Sequence, residues 1–408
     1  MVSGPRSTAA ADRTPKILAF VLPQFHTIPE NDAWWGEGFT EWTNVRKARP
    51  LFRNHLQPRV PAVSRYYNLL DPATQDWQAA LAREHGIYGF CYYHYWFAGK
   101  RLLEKPVELL LQRGKPDFPF CLAWANEPWT RAWDGGDREV LMPQDYADEN
   151  DWEQHFAYLL QIFRDPRYIR VDGRPMLLIY RSASIDCAEP MLRLWRRLAE
   201  RAGLPGLHIV SMRTAFPPDT RSALFDAFAE FEPVRTFRER KPFWLRKRER
   251  WIRQYRRARL RLFGSVSGAP HSYHYSGLWG MIEKRKLPER TYPGAFVDWD
   301  NTPRRGLERG IVMRKFKARA FEKGVRTQLR KALEAGAQFV FINAWNEWAE
   351  GAYMEPDEAR GTFFLDTVRV AVAELQQLAL REEAKLTASG EEPTYDQPTA
   401  SAQSSRRQ

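Results

Sequence analysis

Eight times along this chain a strand-length run of nearly continuous apolar or aromatic residues recurs, and most of these runs are followed by a helix-like segment. The runs are 17–25, 88–96, 118–126, 175–181, 208–212, 225–231, 294–299 and 338–345. Hydrophobicity without alternation marks strands buried on both faces, as in parallel sheets covered by helices. Between the runs, Asp71-Pro72 can cap a helix ending at Gly86, and the segments 189–203 and 314–336 also end on glycine. Eight such alternations predict an α/β fold, a (β/α)8 TIM barrel, with a doubly wound sheet as the alternative. The chain has 408 residues, more than the roughly 250 a bare barrel needs. The excess predicts long connections on the C-terminal face, chiefly 26–70, 128–148 and 232–293.

The barrel is expected to occupy 16–386, with a basic helical insertion at 235–290. Residues 1–15 and 387–408 are rich in Ser, Thr, Ala and charged residues and are expected to be disordered tails. No apolar run follows a basic start in 1–15, and no segment is long enough to span a bilayer. With only Cys91, Cys121 and Cys187 available, no disulfide scaffold is possible and a cytoplasmic location is expected.

In a barrel, chemistry gathers at the C-terminal ends of the strands. Polar residues gather there: Gln24 and His26 after the first run, Tyr93, His94 and Trp96 in the second, Trp124, Asn126 and Glu127 after the third. Tyr180 and Arg181 end the fourth, Glu230 and Glu232 the sixth, Asp298 and Trp299 the seventh, and Trp345 and Asn346 the eighth. Any one of these reads more readily as a solvated strand end; seven together do not. Of 16 tryptophans, Trp34, Trp35, Trp42, Trp96, Trp124, Trp129, Trp133, Trp299, Trp345 and Trp348 lie at these ends or in the loops after them. Aromatic faces stack on the apolar C–H faces of sugar rings while carboxylates and amides bind the hydroxyls, so this mixture points to a carbohydrate site. Some of these rings are equally expected to plug the barrel mouth.

Glycosidic-bond chemistry needs an acid at the leaving oxygen and a second carboxylate as nucleophile or base. Glu347 and Glu350 in NAWNEWAEG are the candidate catalytic pair, set among tryptophans that can raise a carboxyl pKa by desolvation. Glu127 in WANEP and Glu41 in GFTEW, next to Trp42, are carboxylates in similar settings. A second chemistry is legible in Asp298-Trp299-Asp300, an Asp-x-Asp that can hold a divalent metal and a nucleotide-sugar diphosphate, although no glycine-rich phosphate loop accompanies it. That would make the chain a metal-dependent glycosyltransferase; a non-catalytic glycan-binding barrel is the third reading. His271 and His274 lack further ligands nearby and read as a solvated loop. No cofactor is expected.

The segments LPQFHTIPENDAWWGEGFTEWTNV, YGFCYYHYWFAGKRLLEKP, PFCLAWANEPWTRAWDGG, VDGRPMLLIYR, FVDWDNTPRRG and FINAWNEWAEGAYMEPD resemble the signature blocks of WbsX-type proteins. These are bacterial polysaccharide-biosynthesis proteins of O-antigen and capsule loci, related to glycoside hydrolase family 99. The resemblance runs from about Lys16 to Asp366; between Pro233 and Gly294 no block matches. It implies a (β/α)8 barrel, and the related hydrolases are retaining endo-α-mannosidases. In them a Glu-x-x-Glu after the last strand carries the reaction through a 1,2-anhydro sugar. By that resemblance Glu347 would be the base on the sugar 2-hydroxyl, and Glu350 the general acid/base at the glycosidic oxygen. The partner it implies is an oligosaccharide or polysaccharide, free or lipid-linked.

The formal charge of +12 is local. Thirteen Lys and Arg against Glu239 and Glu249 place +11 in residues 235–262, leaving +1 elsewhere. A helix from about Lys241 would set Trp244, Trp251, Tyr255 and Leu262 on one face. Such a helix either contacts an anionic membrane peripherally through 238–262 or packs on the barrel by those aromatics. Nucleic acid is not an expected partner, since no nucleic-acid module accompanies the charge.

Overall fold

A computed structural model of the protein describes residues 14–131, 139–239, 251, 254, 255 and 270–389. All eight runs form parallel strands: β1 (Lys16–Val21), β2 (Ile87–Phe97), β3 (Phe120–Trp124), β4 (Arg174–Ile179), β5 (His208–Arg213), β6 (Ala227–Glu230), β7 (Thr291–Tyr292), β8 (Gly294–Phe296) and β9 (Phe339–Asn343). The ninth arises because Pro293 splits one stave in two. Proline has no N–H to give to a ladder; the piece before it pairs with β6 and the piece after it with β9. The order is therefore β7-β6-β5-β4-β3-β2-β1-β9-β8, a nearly closed barrel whose two ends are neighbours in sequence. The doubly wound alternative is excluded.

The strands end earlier than the apolar runs because polar residues take over the hydrogen bonds. Beyond Val21, for example, the Leu22 N–H goes to the Asn346 side chain at 2.7 Å. Inside, Phe20 of β1 stacks on Tyr93 of β2 at 5.7 Å and on Phe341 of β9 at 5.5 Å, and meets Phe231 edge-on at 5.2 Å. This aromatic layer fills the barrel and floors the space above it.

Helices Pro72–Glu84 and Ala188–Arg201 lie where the capping and glycine signals put them, and Asp71 accepts the Ala73 N–H as an N-cap. The helix expected over 314–336 begins only at Ala318. The apolar stretch before it, Ile311–Arg314, is instead a strand paired in parallel with His271–His274. That pairing also corrects the solvated-loop reading of the two histidines: Tyr273, between them, is buried and stacks on Phe237 at 4.4 Å.

Of the expected tails, 1–13 and 390–408 lie outside the described residues, and helix Phe363–Ser389 runs past the boundary expected at 386. Most of the basic run, Trp244 and Leu262 included, is likewise outside them; Trp251 and Tyr255 are exposed. Among the described residues no helix is long and apolar enough to cross a membrane.

Barrel closure leaves no room at Gly294, where a Cβ would collide with the Glu230 carbonyl. Gly294→Ala should therefore lower stability by about 1–3 kcal/mol. Gly280, in helix Tyr275–Lys284, has open space around its Cα, so Gly280→Ala should be neutral or stabilise by about 0.5–1 kcal/mol. Denaturant melts of the two variants check the pair; equal effects would contradict this closure geometry.

Candidate active site

The site is built on three loops at the C-terminal mouth. After β1 the chain runs to helix Glu41–Lys47, whose N-terminus is fixed by a reciprocal Thr40–Thr43 capping box. After β8 it forms helix Thr302–Arg309. After β9 it makes a 3-10 turn, Trp348–Glu350, closed by Gly351 at φ +63°. A Cβ on Gly351 would lie 3.0 Å from both Arg59 Cζ and Asp300 N, so the turn requires glycine on two counts.

These loops converge on Arg304. Its Nη2 donates to Glu41 Oε1 at 2.6 Å and to Glu347 Oε2 at 3.0 Å, and its Nη1 to Glu350 Oε1 at 3.0 Å. Glu41 also accepts the Ala349 N–H at 3.0 Å, which ties the first loop to the last. Arg304 is buried, and its three carboxylates hold its pKa well above the ordinary guanidinium value against the opposing effect of burial. Three carboxylates around one cation leave an excess of negative charge, and burial raises the cost of ionising them all. The proton is held at Glu347: burial, with the Glu350 and Glu41 charges, pushes its pKa up to about 8, against the pull of Arg304.

A cavity of about 550 Å³ opens above the aromatic floor and holds Glu347, Glu350 and Arg304 on one side. Tyr93, Tyr95, Tyr180, Trp129 and Trp299 supply rings, and Glu127 and Arg181 face them. Glu127 is paired with Arg181 at 3.3 Å, yet burial still raises its pKa above the usual carboxylate value. Arg181 lies 3.8 Å over the ring of Phe216. A second cavity of about 210 Å³ lies against Glu41 and Arg304 and includes Gln24 and Trp35.

The sequence-predicted residues thus divide into three groups. Glu347, Glu350, Tyr93, Glu127, Tyr180 and Trp299 line the main cavity, and Gln24, Trp35 and Glu41 the second. His26, Trp42, His94, Trp96, Trp124, Asn126, Asp298, Trp345 and Asn346 line neither; they are buried supports. His94 meets His155 at 2.8 Å, Trp96 stacks on that same His155, and Trp124 meets it edge-on. Burial drives the pKa of His94 down to about 3 and that of His26 to about 4, so both stay neutral at neutral pH. Asn126 clamps the Arg181 backbone, and Asn346 does the same for Leu22. Trp42 donates to the Tyr67 carbonyl at 2.8 Å, and Trp345 is fully buried against Phe90. Trp133 lies outside the described residues.

The Asp-x-Asp reading is corrected by the partners of its carboxylates. Asp298 Oδ2 accepts from Arg59 at 3.0 Å and Arg360 at 2.8 Å. Asp300 accepts from His55 and Gln57 at 2.8 Å each and from Thr302 Oγ1 at 2.6 Å. Both oxygens of Asp300 and Asp298 Oδ2 are each taken up by two donors, and the two arginines beside Asp298 repel a cation. What the pair does is hold the start of helix Thr302–Arg309, and with it Arg304, in place.

Tyr95 and Arg181 stand at strand ends in the sequence but are not among its candidate site residues, and sequence reasoning missed Arg304, Arg305 and the wall formed by Phe216, Phe237 and Tyr273. Strand alternation would have found Tyr95: Tyr93 and Tyr95 face inward, while His94 and Trp96 face helix Glu149–Phe163. Arg304 stands in the FVDWDNTPRRG block, and the need of clustered carboxylates for a buried counter-charge is the signal that could have found it.

The family described as "Glycosyltransferase WbsX" matches residues 17–368. Two curated relatives, both "Uncharacterized protein WxcX" from strains of Xanthomonas campestris pv. campestris, are 39% and 38% identical over 378 residues, covering 92% of this chain and 52% of theirs. The chain therefore spans about half the length of these relatives. Among solved structures, a GH99 endo-alpha-mannosidase from Bacteroides thetaiotaomicron is similar with a TM-score of 0.51 at 14% identity, over 90% of this chain and 98% of that one. A "Glycoside hydrolase-like protein" matches with a TM-score of 0.52 at 12% identity, over 91% and 97%. At such identities the likeness is one of fold.

The raised pKa of Glu347 has a stability consequence. The folded chain holds this proton more tightly than the unfolded chain, so its contribution is complete below the ordinary carboxylate range and is lost as the pH rises toward about 8. Glu347→Gln, neutral throughout, should melt roughly 2–4 °C above wild type near about pH 9 and level with it near about pH 5. Thermal melts across that range check this; a gap independent of pH would contradict it.

Proposed function

Because the chain belongs to the WbsX family, we propose that it is a glycan-active enzyme that cleaves or transfers glycosidic bonds in the assembly of a cell-surface polysaccharide. The observation that carries this reading is the Glu347–Glu350 pair on one guanidinium, at the edge of an aromatic-lined cavity large enough for several sugar units. Rings and hydroxyl-binding groups both line that cavity, as carbohydrate recognition requires.

The chemistry follows a retaining, endo-α-mannosidase-like course. In the reactive form the proton that rests on Glu347 has passed to Glu350, and Glu347, then ionised, takes the proton of the sugar 2-hydroxyl as that oxygen attacks C1. Glu350 gives its proton to the departing glycosidic oxygen, and a 1,2-anhydro sugar forms. Glu350, now ionised, then deprotonates the acceptor, water or another sugar hydroxyl, which opens the ring at C1 while Glu347 returns its proton to O2. Arg304 makes this exchange feasible by bonding both carboxyls, so that proton gain on one is offset by stronger pairing to the other. The acceptor decides between hydrolysis and transfer. The basic run 238–262 would hold the enzyme against an anionic membrane, where a lipid-linked glycan is presented.

The test presents the host's own polysaccharide and lipid-linked oligosaccharides, free and in anionic liposomes, and reads products by mass. Wild type should give shortened or extended glycans, Glu350→Gln should lower the rate roughly 10²–10⁴-fold, and deletion of 238–262 should remove any preference for the liposome form. Equal product from wild type and Glu350→Gln would overturn the assignment. A cellular role left intact by Glu350→Gln would favour a non-catalytic glycan-binding barrel.

A further inference from the structure

The second cavity is not part of the space occupied by the catalytic pair. It lies between the end of β1 and helix Glu41–Lys47, holds about 210 Å³, and shares with the main cavity only Arg304. Its walls combine two kinds of surface. Trp34 and Trp35 contribute half-buried indoles, held from behind by neighbours: Trp34 packs edge-on to Trp129 at 5.8 Å, and Trp35 lies between Phe39 at 5.9 Å and the Arg131 guanidinium at 5.8 Å. Facing them are Gln24, Glu41 and Asn44, all buried, with Lys47 at the rim. Glu41, Asn44 and Lys47 recur every three residues and so share one helix face.

Gln24 supplies an independent indication of a ligand. It is 3% exposed and lines the cavity, and its side-chain amide is unpartnered, with Oε1 sealed from the cavity and Nε2 left as the atom that can reach it. A buried amide without partners costs about 1–3 kcal/mol, and a hydroxyl entering the cavity would accept from its Nε2. The charges narrow what can enter. Glu41 and two further carboxylates already surround Arg304, which disfavours an anion; Arg304 and Lys47 disfavour a cation. A neutral ligand with one apolar face and a rim of hydroxyls matches amide, carboxylate and paired indoles together, and the volume suits one ring.

We infer that this cavity is a monosaccharide-binding subsite, in which Trp34 and Trp35 pack against a pyranose ring while Gln24, Glu41 and Asn44 bind its hydroxyls. The inference builds on the glycan-active reading and extends it to a second place on the molecule. The ring has two sources, a unit of the glycan undergoing reaction or a separate sugar. In either case its contact with Glu41 reaches Glu347 through the shared Arg304 nitrogen.

The test titrates D-mannose, D-glucose, D-galactose, L-rhamnose and N-acetylglucosamine singly into the full chain carrying Glu350→Gln, by calorimetry. At least one sugar should bind, with affinity reduced roughly tenfold or more by Trp35→Ala and by Gln24→Leu, retained in Trp35→Phe and unchanged by Trp299→Ala in the main cavity. If Trp35→Ala does not fold, Gln24→Leu and Asn44→Leu carry the comparison. No binding by any of the five sugars, or binding lost with Trp299→Ala and kept in Gln24→Leu, would overturn the inference. Once a substrate glycan is in hand, a raised KM in Trp35→Ala assigns the ring to that glycan, and an unaltered KM to a separate sugar. Binding is read without turnover, so its failure leaves the catalytic reading standing, and failure of turnover leaves the subsite standing.

Discussion

One guanidinium holds three loops of this barrel together. Arg304 bonds Glu41 from the loop after β1 and Glu347 and Glu350 from the loop after β9, and itself comes from the loop after β8. Carboxyls this deeply buried, without an internal cation, would lose their charge or pull the loops apart. Arg304 can serve only because its own position is fixed in turn. Asp300 bonds both the backbone and the hydroxyl of Thr302 at the start of its helix. Asp298 is held by Arg59 and Arg360, and Arg59 reaches the Gly351 carbonyl beside the Glu350 turn. The charges most prominent in the sequence as a metal motif are thus the footing of the arginine.

The barrel was legible because its cause is local: a strand covered on both faces must be apolar throughout, and eight such runs can be counted. Proline 293 was the exception, since a split stave and an unbroken one have the same hydrophobic pattern. The pair Glu347 and Glu350, which share one cavity and one guanidinium, was legible because carboxylates among tryptophans are conspicuous. Residues 92–96 show the limit of such reading. Composition marks all five, but alternation gives Tyr93 and Tyr95 to the cavity and His94 and Trp96 to a helix, and only the strand's orientation decides which. Arg304 was harder still, because its meaning lies in contacts to residues 41, 347 and 350 that only folding brings together.

The two cavities place their polar groups differently. In the larger one, tyrosines, tryptophans and charged pairs surround a space of about 550 Å³. In the smaller one, a buried amide and two indoles face a single compact volume. Because they share Arg304, the protonation of the carboxyl pair and the occupancy of the smaller space are joined through one side chain. A ligand bound at Glu41 would alter the hydrogen bond that the Arg304 nitrogen shares with Glu347, by ordinary linkage between sites.

The central claim is that burial and like charge keep a proton on Glu347 while Arg304 opposes them. It is tested most directly by carbon NMR of the protein labelled at glutamate side-chain carboxyls, titrated in wild type, Glu347→Gln and Arg304→Gln. The account predicts that the carboxyl signal missing from Glu347→Gln titrates far above the ordinary carboxylate range, near about pH 8, and moves higher still in Arg304→Gln. A Glu347 signal that titrates with the exposed glutamates, or does not move when Arg304 is removed, would contradict it.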